Sequence, residues 1–339
     1  MKRNQTIRVA NFSVQFRPRT LMVVLIAVAL VVILIHLSLT AGSITASQAW
    51  SAVAGVGDAS DIRSVQSRRL PRVLTAVGVG AALGLSGAVF QSVSRNVLGS
   101  PDIIGFTTGA ATAAAIIIIF FDAGVVLTGL AAILGGLATA VFVYLMARQN
   151  SSTGGLRLVL VGIGTGAFLG AARDFLMVRA DITDASTVQL WSAGSLSGRG
   201  WNHALLVLIS CAVIVPALCI IARRLRLMEM GDDAAGALGI SVESTRLLAI
   251  LLAVLLVGIA TAAAGPIAFI ALAAPQIARA LAREDGVLVA ASISIGSGLL
   301  VAADYLAQHV DIGLRTPVGL VTSLLGGVYL MWLLSRKEA

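Results

Sequence analysis

From Leu21 to Leu39 only His36 and Ser38 interrupt an apolar run, and runs of the same kind recur to the end of the chain. They cover Leu70–Val93, Ile103–Phe121, Val125–Ala147, Leu156–Val178, Trp201–Ala222, Leu247–Ala264, Ala268–Leu281, Val287–Leu306 and Val318–Leu334. About 20 apolar residues in a helix cross the hydrocarbon core of a bilayer. The pattern predicts an all-α polytopic membrane protein with about ten transmembrane helices. Ala268–Leu281 is short and holds Pro275, which predicts a kinked or partial span. The first run is longer than a secretory signal's apolar region, so it reads as a retained span.

Composition agrees. With 58% hydrophobic and 12% charged residues, the chain could not cover a water-facing surface. The net charge of +8 is a matter of topology rather than of nucleic acid, because no aromatic-basic patch accompanies it. Lys2 and Lys337 are the only lysines, and both lie in the tails. That excludes a P-loop, so any ATP driving this protein is hydrolysed by another chain.

Basic residues set the orientation. With residues 1–19 as a cytoplasmic basic tail, 16 lysines and arginines fall on inside segments and 7 outside, with Arg173 left within a span. This bias places both termini in the cytoplasm. It also places there the longest polar interruption of the second half, Arg223–Arg246, which holds four arginines, two glutamates, the Asp232–Asp233 pair and three glycines. A water-exposed, tightly folded stretch between two spans suits a surface gripped by a soluble partner. The outside cluster around Arg63–Arg72 runs against the bias and needs its own explanation.

Four motifs carry more information. Arg69-Leu-Pro-Arg72 opens the second span, with Pro71 suited to a first helical turn and two arginines sharing one side. Two readings stand: arginines snorkelling at the lipid interface, or a pair of forks for carboxylates on an external protein. Phe90-Gln-Ser-Val-Ser-Arg-Asn-Val-Leu-Gly-Ser-Pro-Asp102 closes that span. Gly231-Asp-Asp-Ala, followed by Leu238-Gly-Ile, lies in the polar interruption. Ala264-Gly-Pro-Ile-Ala-Phe-Ile-Ala-Leu-Ala-Ala-Pro-Gln-Ile-Ala-Arg279 is a tight turn and a proline-containing helix.

In this order the four motifs resemble the permease family that imports ferric siderophores, haem and cobalamin through bacterial ABC transporters, the FecCD type. The likeness extends from about residue 21 to 336. It implies a type II ABC importer permease fold, dimeric, with 20–336 as one transmembrane domain in the bacterial inner membrane. It implies a cytoplasmic coupling segment, 226–242, that sits in a cleft of an ATPase. The contact residues would be Leu227, Met228, Glu229, Met230, Gly231, Asp232, Asp233, Ala234, Ala237, Leu238 and Gly239. Outside, a substrate-binding protein would dock on Arg69 and Arg72, with Arg315 at a further corner. Gln276 and Gln308 stand where many or some members carry histidine and arginine. The implied cargo is a ferric siderophore, catecholate or enterobactin-like above haem or cobalamin. The implied partners are a second permease subunit, identical or related, two ATPase subunits that hold the ATP and magnesium, and the binding protein. No cofactor, metal or catalytic group is expected on this chain.

Arg173 and Asp174 fall inside the fifth span. Adjacent helical positions point about 100° apart, so they are not an obvious pair. Either they line an outer vestibule and meet an anionic complex, or a neighbouring helix neutralises them. Asp304 reads as structural, bonded to backbone or hydroxyls near a helix end. Gly84-Leu-Ser-Gly87 raises an intramembrane serine protease, but Ser86 lies toward the inner half while His36, His203 and His309 lie at outer span ends. An ion-coupled secondary transporter is the other competing class, although no internal repeat supports it.

Overall fold

The computed structural model describes residues 5–9, 12–41, 44–102, 104–122, 124–149, 152–153, 155–309 and 316–335. Gln5–Val9 (β1) and Phe12–Phe16 (β2) pair as an antiparallel hairpin within the basic tail. Helix α1 (Pro18–Leu39) follows, with its proline in the first turn, where a missing N–H costs nothing. The segment read as an outside loop is largely helical. It forms α2 (Ala46–Val53), α3 (Ala59–Ser64) and a π-helical turn (Val65–Arg69) that runs straight into α4 (Leu70–Ser94). A reciprocal cap starts α2: Thr45 N–H donates to Gln48 Oε1 at 2.9 Å, and Gln48 N–H returns to Thr45 Oγ1 at 3.4 Å.

The chain continues through α5 (Phe106–Phe121), α6 (Val125–Ala147), a small hairpin of β3 (Arg148–Gln149) and β4 (Ser152–Thr153), α7 (Gly155–Arg179), α8 (Ile182–Ser192), α9 (Trp201–Met228), α10 (Asp232–Ala237), α11 (Val242–Ala264), α12 (Ile270–Ala282), α13 (Val289–His309) and α14 (Val318–Ser335). Seven of the described helices are long and apolar enough to cross a membrane, and three shorter apolar helices, α5, α12 and α14, accompany them. These match the ten expected spans.

Two boundaries differ from expectation for local reasons. Helix α9 does not stop at Ala222. Nothing breaks it before Gly231, whose φ of 121° only glycine adopts readily, so Arg223–Met228 is its last stretch. Helix α5 begins at Phe106 rather than Ile103, because Gly105 turns the chain at φ 80°.

Helix α4 is the axis of the bundle. An 18-residue apolar stretch of the Ala59–Ser94 span that holds it is 89% buried, against 22% for that of α1 and 17% for that of α7. Small residues allow this. A Cβ on Gly80 would lie 2.4 Å from the Gly296 carbonyl oxygen, and one on Gly84 would lie 2.3 Å from that of Ser292. The backbones of α4 and α13 therefore touch through the Gly80-x-x-x-Gly84 pair, the use that such spacing serves in membranes. Alternating directions put the starts of α1, α11 and α13 and the ends of α4, α6, α9 and α12 at one end of the bundle, together with α10. The ends of α1 and α13 and the start of α4 lie at the other.

Candidate functional site

At the first end, the polar interruption folds into a small knob. Gly231 frees the chain from α9, α10 makes a short helix, and Gly239 at φ 80° turns it into α11. Ala235 anchors the knob from below at 0% exposure, and Met228 is also buried. Met230 and Leu238 stand 71% and 62% exposed, with Ala234 and Ala237 beside them. Exposed apolar surface on so polar a segment is costly unless something covers it.

The knob's base is ionic. Arg246, only 3% exposed, sends Nη2 to Asp232 Oδ2 and Oδ1 at 2.8 and 2.9 Å and Nη1 to Glu243 Oε2 at 2.7 Å. Arg95 caps α4 in the left-handed region at φ 48°. From there its Nε donates to Met228 O at 3.1 Å and its Nη2 to Asp232. Ser92 donates to Glu229 Oε1 at 2.6 Å, and the Tyr144 hydroxyl donates to Glu243. Partial burial pushes the Asp232 carboxyl up, but Arg246 and Arg95 outweigh it and hold the group below the ordinary aspartate value. The arrangement can transmit force between α10 and the axial helix. It carries no group set for covalent chemistry.

The sequence assigned this segment's contacts to Leu227–Gly239 but missed Arg95 and Arg246, which hold it. Part of the signal was available: an Asp-Asp pair at a membrane surface calls for cations, but Arg223, Arg224 and Arg226 are nearer in sequence than Arg246 or Arg95, so only the fold selects the two that bind. Of the named residues, Leu227 is half-buried and Met228 buried, Glu229 and Asp232 serve as braces, and Gly231 supplies the bend. Asp233, Ala234, Ala237, Leu238 and Gly239 join Met230 at the surface.

At the opposite end, Arg69 and Arg72 diverge. Arg69 Nη1 donates to Leu39 O at 2.7 Å and so satisfies a carbonyl at the end of α1. Arg72 grips Asp304 with Nε and Nη2, at 3.0 Å to Oδ2 and 2.8 Å to Oδ1, and Gln308 Nε2 adds a bond at 2.9 Å. The expectation that Asp304 bonds chiefly to backbone or hydroxyls is therefore wrong, since its main partner is an arginine from another helix. Burial of Asp304 to 2% exposure demands a counter-charge, and the start of α4 supplies it. A cavity of about 90 Å³ opens here, lined by Arg68, Arg69, Arg72, Ser38 and Gln308 among others. Arg68 is exposed at its rim, and Arg63 on α3 is exposed as well. Arg315 lies outside the described residues.

Arg173 and Asp174 do pair: Nε and Nη2 reach Asp174 Oδ1 at 3.1 and 2.8 Å. The arginine's long side chain spans the angle between adjacent positions. Ser86 is buried and donates to Ala253 O at 3.1 Å, a packing role. His36 accepts from Trp50 at 3.0 Å, His203 lies 3.4 Å from Arg199, and His309 bonds Tyr305 O. Gln276 donates to Val97 O at 2.8 Å, tying α12 to the turn after α4.

The model of the FecCD transport family matches residues 25–336. The ferric enterobactin transport system permease protein FepG of Escherichia coli K12 is 44% identical over 312 residues, 88% of this chain and 92% of that protein. The iron(3+)-hydroxamate import system permease protein FhuG of Bacillus subtilis 168 is 34% identical over 331 residues, 95% of this chain and 98% of that protein. Among solved structures, an inward-facing metal-chelate type ABC transporter superposes with a TM-score of 0.82 at 26% identity, over 93% of this chain and 99% of that one.

Proposed function

Because the chain belongs to the FecCD transport family, we propose that it is the membrane-spanning permease subunit of an ATP-driven importer of ferric siderophores, catecholate chelates foremost. The chain is a multi-pass membrane transport protein. In this reading it lies in the inner membrane with both termini in the cytoplasm, and a separate pair of ATPase subunits binds ATP and magnesium.

The observation that carries the reading is the knob: exposed Met230, Ala234, Ala237 and Leu238 on a base cross-tied by Asp232, Arg246 and Arg95. An apolar tip suits an ATPase cleft, and a braced base moves with that cleft as a rigid body. Closure of the ATPase pair would shift α10, and Arg95 would pass the shift to the end of α4. At the outer end, acidic side chains of the binding protein meet exposed Arg68 and the guanidinium edges of Arg69 and Arg72 that Leu39 O and Asp304 leave free, and Arg315, outside the described residues, is a further contact in this reading. Arg173 and Asp174 belong to the outer vestibule.

Pairing with a second permease subunit draws support from α7. The exposed face of α1 is aliphatic, including Leu25, Ile26 and Ile33, and suits lipid. That of α7 carries large apolar residues too, Leu160, Ile163, Phe168, Phe175 and Val178, but between them runs a stripe of Gly164, Ala167, Ala171 and Asp174, and such a small-residue stripe suits close approach of another helix.

The test is reconstitution of the full complex with ATPase and binding protein in proteoliposomes, followed by ATP-dependent uptake of a ferric tricatecholate. Leu238→Asp should abolish uptake while the permease remains membrane-inserted and folded. Uptake by the permease without an ATPase, or full activity of Leu238→Asp, overturns the reading.

A further inference from the structure

A cavity of about 170 Å³ lies where α5, α7, the end of α8, the bend between α11 and α12, and α14 meet. Its polar lining is Thr107, Thr108, Arg173, Ser192 and Ser323, and Arg173 is the only charged residue among them. Two of the hydroxyls are already used: Thr107 donates to Asp102, and Ser323 donates to Gly319 O at 2.8 Å. Two are not. Ser192 Oγ is buried without a partner among the described residues, and Thr108, half-buried, shows no side-chain hydrogen bond there. Native structures seldom leave a buried hydroxyl unpaired without a reason. Thr107 and Thr108 also form the first turn of α5, the positive end of a 16-residue helix. The free hydroxyls and the guanidinium favour an acceptor with negative charge, while the helix end is already shared with the Asp102 carboxyl that Thr107 bonds.

We propose that this cavity is a subsite for one anionic, oxygen-bearing arm of the ferric chelate, a catecholate or carboxylate group, held by Arg173, Ser192 and Thr108. The inference rests on the siderophore reading above. The volume is below the roughly 300–1,000 Å³ of pockets that enclose a whole ligand, so the site takes an arm and not the chelate. Asp174 does not line the cavity, and at 65% side-chain exposure it holds the guanidinium from outside. An incoming oxyanion competes with Asp174 for the same fork. That competition weakens net binding, which suits a site that must release what it receives.

The experiment uses the complete reconstituted transporter and a radiolabelled ferric tricatecholate delivered by its binding protein. Losing a hydrogen bond to a charged group costs roughly a factor of ten, so Ser192→Ala with Thr108→Val should raise the half-saturating concentration about ten- to a hundredfold, and Arg173→Gln separately about tenfold. Stimulation of ATP hydrolysis by the binding protein should stay at the wild-type level, and Ser192→Thr and Arg173→Lys should restore most of the uptake. Wild-type half-saturation in the variants overturns the subsite. Loss of ATPase stimulation together with uptake also overturns it, because it marks a structural role. Absence of uptake by the wild-type complex rejects the importer reading itself.

Discussion

Asp232 shows how one side chain can decide whether a segment is stiff. Its folded pKa is depressed, so its contribution is complete above the ordinary value of 3.8 and disappears as pH falls through the lower folded value. Asp232→Asn should mimic that loss at neutral pH. Amide exchange over residues 229–241 should speed up in the variant and then show no further acid-induced rise, while wild type loosens only in acid. Asp304 is the corresponding case inside the bundle. Removing one partner of a buried pair costs about 3–5 kcal/mol, so Asp304→Ala should lower thermal stability in detergent. Arg72→Gln combined with Asp304→Asn should recover most of it while still weakening stimulation by the binding protein. Reversing Arg72 to glutamate alone would be a poor test of docking, since it sets two carboxylates together.

Among elements, α4 is the least tolerant. Gly84→Val places a branched side chain where a Cβ already meets the Ser292 carbonyl at 2.3 Å. Separating α4 from α13 should reduce the yield of folded protein several-fold, as read by size-exclusion profiles of the tagged chain. Gly164→Val on α7 meets open space in this chain and should leave the single subunit folded. If α7 packs on a second subunit, a cysteine at 164 in a background lacking Cys211 and Cys219 should cross-link the two permease chains on a gel. No cross-link in an active complex would reject that interface. The two broken spans have another role. The turn through Asp102 and the bend through Phe269 meet, since Asp102 accepts from Thr107 Oγ1 and from the Phe269 N–H. Their meeting point borders the Thr107–Ala268 cavity, so the same irregular backbone that shortens α5 and α12 makes room for a ligand.

At the scale of the molecule, the chain reads as a gate clamped at one end by a tied knob and rimmed at the other by arginines, with α4 running between them. The sequence by itself determined the ten apolar segments, because backbone in hydrocarbon must satisfy its polar groups within helices, and it marked Arg223–Arg246 and Arg69–Arg72 because charge between such segments is conspicuous. Only the tertiary structure decided which charges meet. Arg72 with Asp304, Arg95 with Asp232 and Ser92 with Glu229 join residues more than 130 positions apart, and no local pattern sets such partners. It likewise decided that Ser192 faces a cavity with its hydroxyl unspent, since a pocket built by five separate elements belongs to their packing and to none of their sequences.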